Sequence, residues 1–235
     1  FPHILKIDVC NVCNYGCVFC PQSRQTGKIG CIEEDLCLRV IRESYDAGAR
    51  ELCLSMTGEP LMNRNLEQYI AYAKELGYRY VFINTNGYLL TPERSRALLE
   101  SGLDSIKISI NAWKDHYYLI HGMEGYERVL ENLRSLYRER ERQKADCKIY
   151  ISYVATAVTL AEADTVRQDV EPYSDDMIVI KANTRAGQMD EVERYLYAGD
   201  DEVSLQFPCS QLLNNVYVTA EGQILVCCHD VENVA

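Results

Sequence analysis

The chain has 235 residues, with 24 lysines and arginines against 35 aspartates and glutamates, a net charge of −11 and a pI near 4.9. That balance argues against a phosphate-backbone binder, which presents a basic face, and no stretch approaches the ~18 apolar residues of a membrane span. Eleven cysteines in a chain that is 47% hydrophobic, with no signal-peptide pattern, point to reduced thiols in the cytoplasm rather than a disulfide scaffold.

Strand-like and helical runs alternate from the first residues to about residue 185. Strands are expected over 4–9, 51–55, 80–84, 105–110, 148–154 and 177–181, from short β-branched or aromatic segments bounded by turn residues. Helices are expected over 33–47, 66–76, 92–100, 126–143 and 160–170; the first three end at Gly48, Gly77 and Gly102. Thr91 before Pro92 reads as an N-cap followed by proline at the first helical position. Such alternation implies a parallel sheet with right-handed crossovers. Because no G-x-G-x-x-G follows the first strand, six βα units fit a partial (β/α)6 TIM-like barrel better than a dinucleotide-binding sheet. Residues 190–201 are acidic and irregular, and NVYVTAEGQILVCC after them reads as a hairpin. The expected division is a core domain over 1–188 and a small β-hairpin extension over 189–235.

The loop after the first strand carries CNYGCVFC, with thiols at Cys13, Cys17 and Cys20. Three thiolates can hold three irons of a cubane and leave the fourth iron open. Cys10 forms a C-x2-C with Cys13, so a closed tetrathiolate of Cys10, Cys13, Cys17 and Cys20, with zinc or a cluster, stands beside the open one. The loop lies at the carboxyl end of its strand, where ligands sit in parallel α/β folds.

The C-x3-C-x-aromatic-C pattern resembles the signature of the radical S-adenosylmethionine (radical SAM) enzymes. Thr57, Gly58, Glu59 and Pro60 resemble that family's Gly-Gly-Glu-Pro turn, with threonine in place of the first glycine. The resemblance implies a 4Fe-4S cluster on Cys13, Cys17 and Cys20, with SAM chelating the fourth iron and an electron donor such as flavodoxin or ferredoxin. Cleavage of SAM would give a 5′-deoxyadenosyl radical that abstracts hydrogen from the substrate. SAM contacts are expected from Phe19, Gly58, Glu59, Pro60, Asn86, Ser109 and Asn111, with the Glu59 carboxylate toward the SAM ammonium; Tyr153, Lys181 and His121 are substrate candidates. No catalytic residue is assigned beyond the cluster.

Cys209, Gly222 and Cys227 are separated by twelve and four residues, a pattern that resembles the opening half of the SPASM or twitch auxiliary-cluster domain. Such domains complete their clusters with further cysteines downstream of the hairpin; none follows Cys228, so the chain is expected to be cut short at both ends. The resemblance, closest to twitch-type dehydrogenases of aminoglycoside biosynthesis, implies an oxidoreductase acting on an aminocyclitol or sugar. A SPASM-type maturase of a peptide, and a non-catalytic metal- or iron-sulfur-binding module, are the alternatives. Neither nucleic acid nor membrane is an expected partner.

Overall fold

The protein is described by a computed structural model over residues 2–24, 28–183, 190–196, 209–227 and 230. Six parallel strands, β1 (Ile4–Ile7), β2 (Glu51–Cys53), β3 (Tyr80–Thr85), β4 (Ser105–Ser109), β5 (Lys148–Ala155) and β6 (Asp176–Lys181), lie side by side in chain order. Parallel strands in sequential order need crossovers of one hand, which puts the connecting helices on one face and leaves the other face as the inside of a partial barrel. The connections carry α1 (Glu34–Ala47), α2 (Leu66–Leu76), α3 (Pro92–Glu100), α4 (Lys114–His121), α5 (Tyr126–Gln143) and α6 (Ala163–Val170).

Alternation along the strands decides what each face carries. Leu5, Ile7, Leu52, Val81, Ile83, Ile106, Ile108, Ile149 and Ile151 are fully buried under the helices and form the core with Ile41, Tyr69, Leu98, Val129 and Leu133. The intervening positions, among them Lys6, Cys53, Phe82, Asn84 and Lys107, turn inward. Thr91 caps α3 as its sequence foretells, its hydroxyl accepting from the Arg94 amide at 3.2 Å with Pro92 at the first helical position.

Two features depart from the sequence reading. Segment 114–121 is a helix, α4, where only a loop leading into α5 was expected. The C-terminal hairpin, preceded by the short helix α7 (Ser210–Asn214), is present as β7 (Asn215–Val218) and β8 (Ile224–Leu225), but β7 also pairs parallel with β1, Ile4↔Asn215 through Ile7↔Val218. The result is one eight-stranded sheet, β6-β5-β4-β3-β2-β1-β7-β8. Among the described residues no helix is long and apolar enough to cross a membrane.

Candidate active site

Cys13, Cys17 and Cys20 stand on the loop that leaves β1, and two neighbouring elements fix its path. The first is the turn after β2. A Cβ on Gly58 would lie 2.0 Å from the Cys10 carbonyl oxygen and 2.7 Å from that of Val12, so only glycine lets this turn close on the loop. The Glu59 amide then donates to Val12 O at 2.8 Å. The second is the C-terminus of α4, whose last carbonyls lack helical partners. Gly16 N–H donates to His121 O (2.9 Å) and Val18 N–H to Ile120 O (3.0 Å), so the loop satisfies the helix end and the helix end orders the loop. Close packing recurs here, since a Cβ on Gly122, whose φ is 68°, would sit 3.0 Å from Gly16 O.

Glu59 is held by the protein itself. Its side chain is 2% exposed and takes hydrogen bonds from the Thr85 hydroxyl (2.6 Å), the Asn86 amide (2.7 Å) and the Leu61 amide (3.0 Å). Burial pushes its carboxyl above the ordinary range, against those three bonds. The carboxylate caps the 3-10 turn Pro60–Met62 and ties the turn after β2 to the end of β3. Asn86, at that end, donates to Asn14 Oδ1 at 2.8 Å and reaches Cys13 Sγ at 3.7 Å, which places it against the cysteine loop.

His121, read from sequence as a substrate contact, lies wholly buried behind the thiols. Its Nε2 accepts from the Asn111 backbone amide at 3.2 Å, which leaves the proton on Nδ1, 3.3 Å from Cys17 Sγ. The imidazole is therefore a donor to the thiol sulfur. Burial lowers its pKa to about 3, so it is neutral at any working pH, and Tyr117, at 4.2 Å between ring centroids, and Tyr15, at 5.3 Å, hold the ring in place. Nothing in the linear sequence marks this arrangement, because it requires α4.

The remaining expected residues are dispersed. Phe19 packs beside Ala112, Ile120 and Tyr195 in a small apolar cluster. Ser109, half-buried, ends β4, while Asn111 is 2% exposed and its Oδ1 accepts from the Val154 amide at 2.7 Å, bridging β4 to β5. Tyr153 belongs to the helix-facing core: it is fully buried and its hydroxyl donates to Thr159 O at 2.5 Å, so it does not form a substrate wall. Lys181 is exposed at the end of β6. Cys209 and Cys227 are both exposed. α7 enters the hairpin at the level of Ile4, the opposite end of β1 from the loop thiols.

Cys10 answers the question its spacing raised. It forms an antiparallel bridge with Cys31, their sulfurs 2.7 Å apart, so its thiol is engaged there. Cys13, Cys17 and Cys20 are half-buried and near enough to bear on one another electrostatically. Burial chiefly, with Glu59 and Cys20 adding and the Tyr15 amide opposing, pushes the Cys13 thiol up to about 11, and burial with the Cys20 and Cys13 thiols pushes Cys17 further up, so their ionisation calls for a cation. Among the described residues no three ligand side chains converge on a single metal ion. A donor set of mutually sensing but separated thiols fits a cluster that takes one thiolate per iron. Cys20 also lines the inner cavity of the barrel, beside Met56 and Thr57.

Comparison with known proteins agrees with this arrangement. The family model "Radical SAM superfamily" matches residues 7–154. A curated relative from Saccharolobus islandicus (strain M.14.25 / Kamchatka #1), named "Probable GTP 3′,8-cyclase", is 32% identical over 132 residues, covering 56% of this chain and 42% of the relative. The chain thus spans less than half the length of that protein. Among solved structures, BtrN in complex with AdoMet and 2-DOIA superposes with a TM-score of 0.59 at 20% identity, over 98% of this chain and 75% of BtrN. Streptococcus suis SuiB bound to precursor peptide SuiA superposes with a TM-score of 0.72 at 15% identity, over 100% of this chain and 61% of SuiB.

Proposed function

The chain belongs to the radical SAM superfamily, and from that membership we propose that it is an oxidoreductase abstracting hydrogen from a small polar, hydroxyl-bearing substrate of the sugar or aminocyclitol class. A 4Fe-4S cluster on Cys13, Cys17 and Cys20, with SAM, supplies the 5′-deoxyadenosyl radical when bound. The observation that carries the reading is the loop itself: three thiols fixed by the Gly58 approach and the end of α4, with Cys10 diverted to Cys31. A non-catalytic tetrathiolate module would need Cys10 among its ligands.

The protein's own part is to hold and shield. Glu59 and Asn86 fix the loop, His121 donates to Cys17, and the Asn111 amide orients His121. A cavity of about 240 Å³ lies inside the barrel against Cys20, at the small end of ligand pockets. That favours a small substrate over a peptide such as SuiB binds. The relative's name does not transfer GTP to this chain, since the likeness covers under half of that protein. We assign residues 1–188 to the radical SAM core and 189–235 to a SPASM/twitch-like segment, in which Cys209 and Cys227 contribute to an auxiliary cluster that accepts the second electron. A flavodoxin or ferredoxin would supply the first.

Anaerobic reconstitution with iron and sulfide, followed by SAM and dithionite, should yield 5′-deoxyadenosine in the wild type and none in Cys17→Ala. Equal yield from the two proteins would remove the reading.

A further inference from the structure

The inner cavity carries an electrostatic anomaly. Lys6 on β1 and Lys107 on β4 both line it, with Cys20 on the same wall. Lys6 lies level with Cys53 and Phe82, whereas Lys107 lies level with Asn84, two residues or ~6.6 Å further toward the cysteine loop. The two lysines therefore enter the cavity from different levels of the sheet.

Neither has an ion-pair partner among the described residues. The carboxylates on these strands are engaged elsewhere: Glu51 with His3 at 3.4 Å, Asp104 with Lys74 at 2.7 Å, Asp176 with the Met177 amide at 2.7 Å, and Asp8, two residues beyond Lys6, with the Thr57 hydroxyl. Lys6 Nζ stands 5.3 Å from the centroid of the Tyr217 ring, a contact that favours a cation without neutralising it. Burial and then the charge of Lys6 depress the Lys107 ammonium, while the Cys53 thiol opposes them. In a chain with eleven more acidic than basic side chains, two half-buried ammonium groups that line one cavity without an ion-pair partner among the described residues repel each other and favour an anion there. A lysine that only covered apolar surface would run its ammonium out to water, yet Lys107 starts from an inward position of a strand flanked on both sides by other strands.

We propose that Lys6 and Lys107 bind an anionic group of the substrate, a phosphate ester or a carboxylate, and so hold the rest of the molecule toward Cys20. Lysine suits this task as a point charge for phosphate or carboxylate oxygens. The inference rests on the small-substrate reading above and narrows it: a sugar phosphate or sugar acid is favoured, and an aminocyclitol with a bare ammonium group is repelled.

The test is calorimetric titration of the reconstituted holoenzyme with SAM present, using glucose 6-phosphate, gluconate, glucose and glucosamine as probes. At least one anionic probe should bind tenfold or more tightly than glucose, with an affinity that falls as salt rises, and glucosamine should bind no better than glucose. Comparing the two anions separates phosphate from carboxylate recognition. Lys6→Met and Lys107→Met should each weaken anion binding at least tenfold, and Lys107→Arg should restore it to within about threefold of wild type. Iron content and melting temperature show whether each variant folds and loads; if the methionine variants do not, the salt dependence of the wild type and the Lys107→Arg affinity decide. Anion binding equal to that of glucose, or undiminished in folded methionine variants, overturns the proposal. Failure of the radical reading is separate, because it would appear as no 5′-deoxyadenosine with anion binding intact.

Discussion

Replacing Gly58 with alanine places one methyl group where the structure has no room for it. Its carbon would begin 2.0 Å from the Cys10 carbonyl oxygen, against a normal C···O contact of ~3.3 Å. The turn must retreat by about 1.3 Å, and since the nearest atoms are all backbone, no rotamer change can relieve the overlap. Overpacking of this kind costs ~1–3 kcal/mol. The same retreat breaks the Glu59 amide bond to Val12 O, worth ~1 kcal/mol. The sum, ~2–4 kcal/mol, corresponds to a fall in Tm of roughly 4–16 °C for a chain of this length. Circular dichroism melts of the iron-free protein measure the stability loss, and iron per chain after reconstitution reports whether the loop moved instead. A variant that melts within 2 °C of wild type and loads iron fully would show that the turn does not clamp the cysteine loop.

Cys10→Ser should retain the iron content of wild type while Cys13→Ser loses most of it, because Cys10 faces Cys31; equal losses in iron analysis would restore the closed tetrathiolate. His121→Phe keeps a ring beside Tyr117 but removes the donor to Cys17 Sγ. Donors to cluster sulfurs stabilise the reduced, more negative state, so the potential in an EPR-monitored titration should move to more negative values, and an unchanged potential would exclude the donor role. Asp8 is raised from its ordinary 3.8 to about 6, first by burial, with the Thr57 hydroxyl opposing. The folded state therefore keeps this proton longer than the unfolded chain does. Its contribution is complete below pH 4 and is lost as pH rises through 6, a difference of about 3 kcal/mol at ~1.36 kcal/mol per pH unit. Denaturant melts of the iron-free protein between pH 4 and 7 should show that loss, and Asp8→Asn should flatten it.

Periodicity and punctuation made the barrel legible. Helices α2 and α3 fall at the expected residues because each combines an apolar stripe with an end signal such as Gly77 or Thr91-Pro92, and α5 does so on the length of its apolar stripe alone. Helix α4 escaped for the complementary reason: KDHYYLIH begins after Trp113 without a side-chain cap, and its buried face consists of Tyr117, Ile120 and His121, residues that do not read as an apolar stripe. At the site, the thiols were legible from local spacing. Direction was not, since Glu59 is held by Thr85 and Asn86, Cys10 by Cys31, and His121 by Asn111, partners beyond the reach of local spacing. Tyr153 was misjudged because strand parity, not residue type, decides which face a side chain serves.

The pairing of β7 with β1 sets a timetable for biosynthesis. Strand β1 emerges first from the ribosome, but the neighbour on its outer side begins only at Asn215. At ~5–20 residues per second, some ten to forty seconds separate the two. Throughout that interval β1 is an unprotected sheet edge, and the thiols that follow it hang from a strand paired on one side only. The loop has its finished footing once Val218 accepts the Asp8 amide at 2.8 Å. Iron delivery after release of the chain meets a completed platform, whereas oxidation during synthesis meets bare thiols.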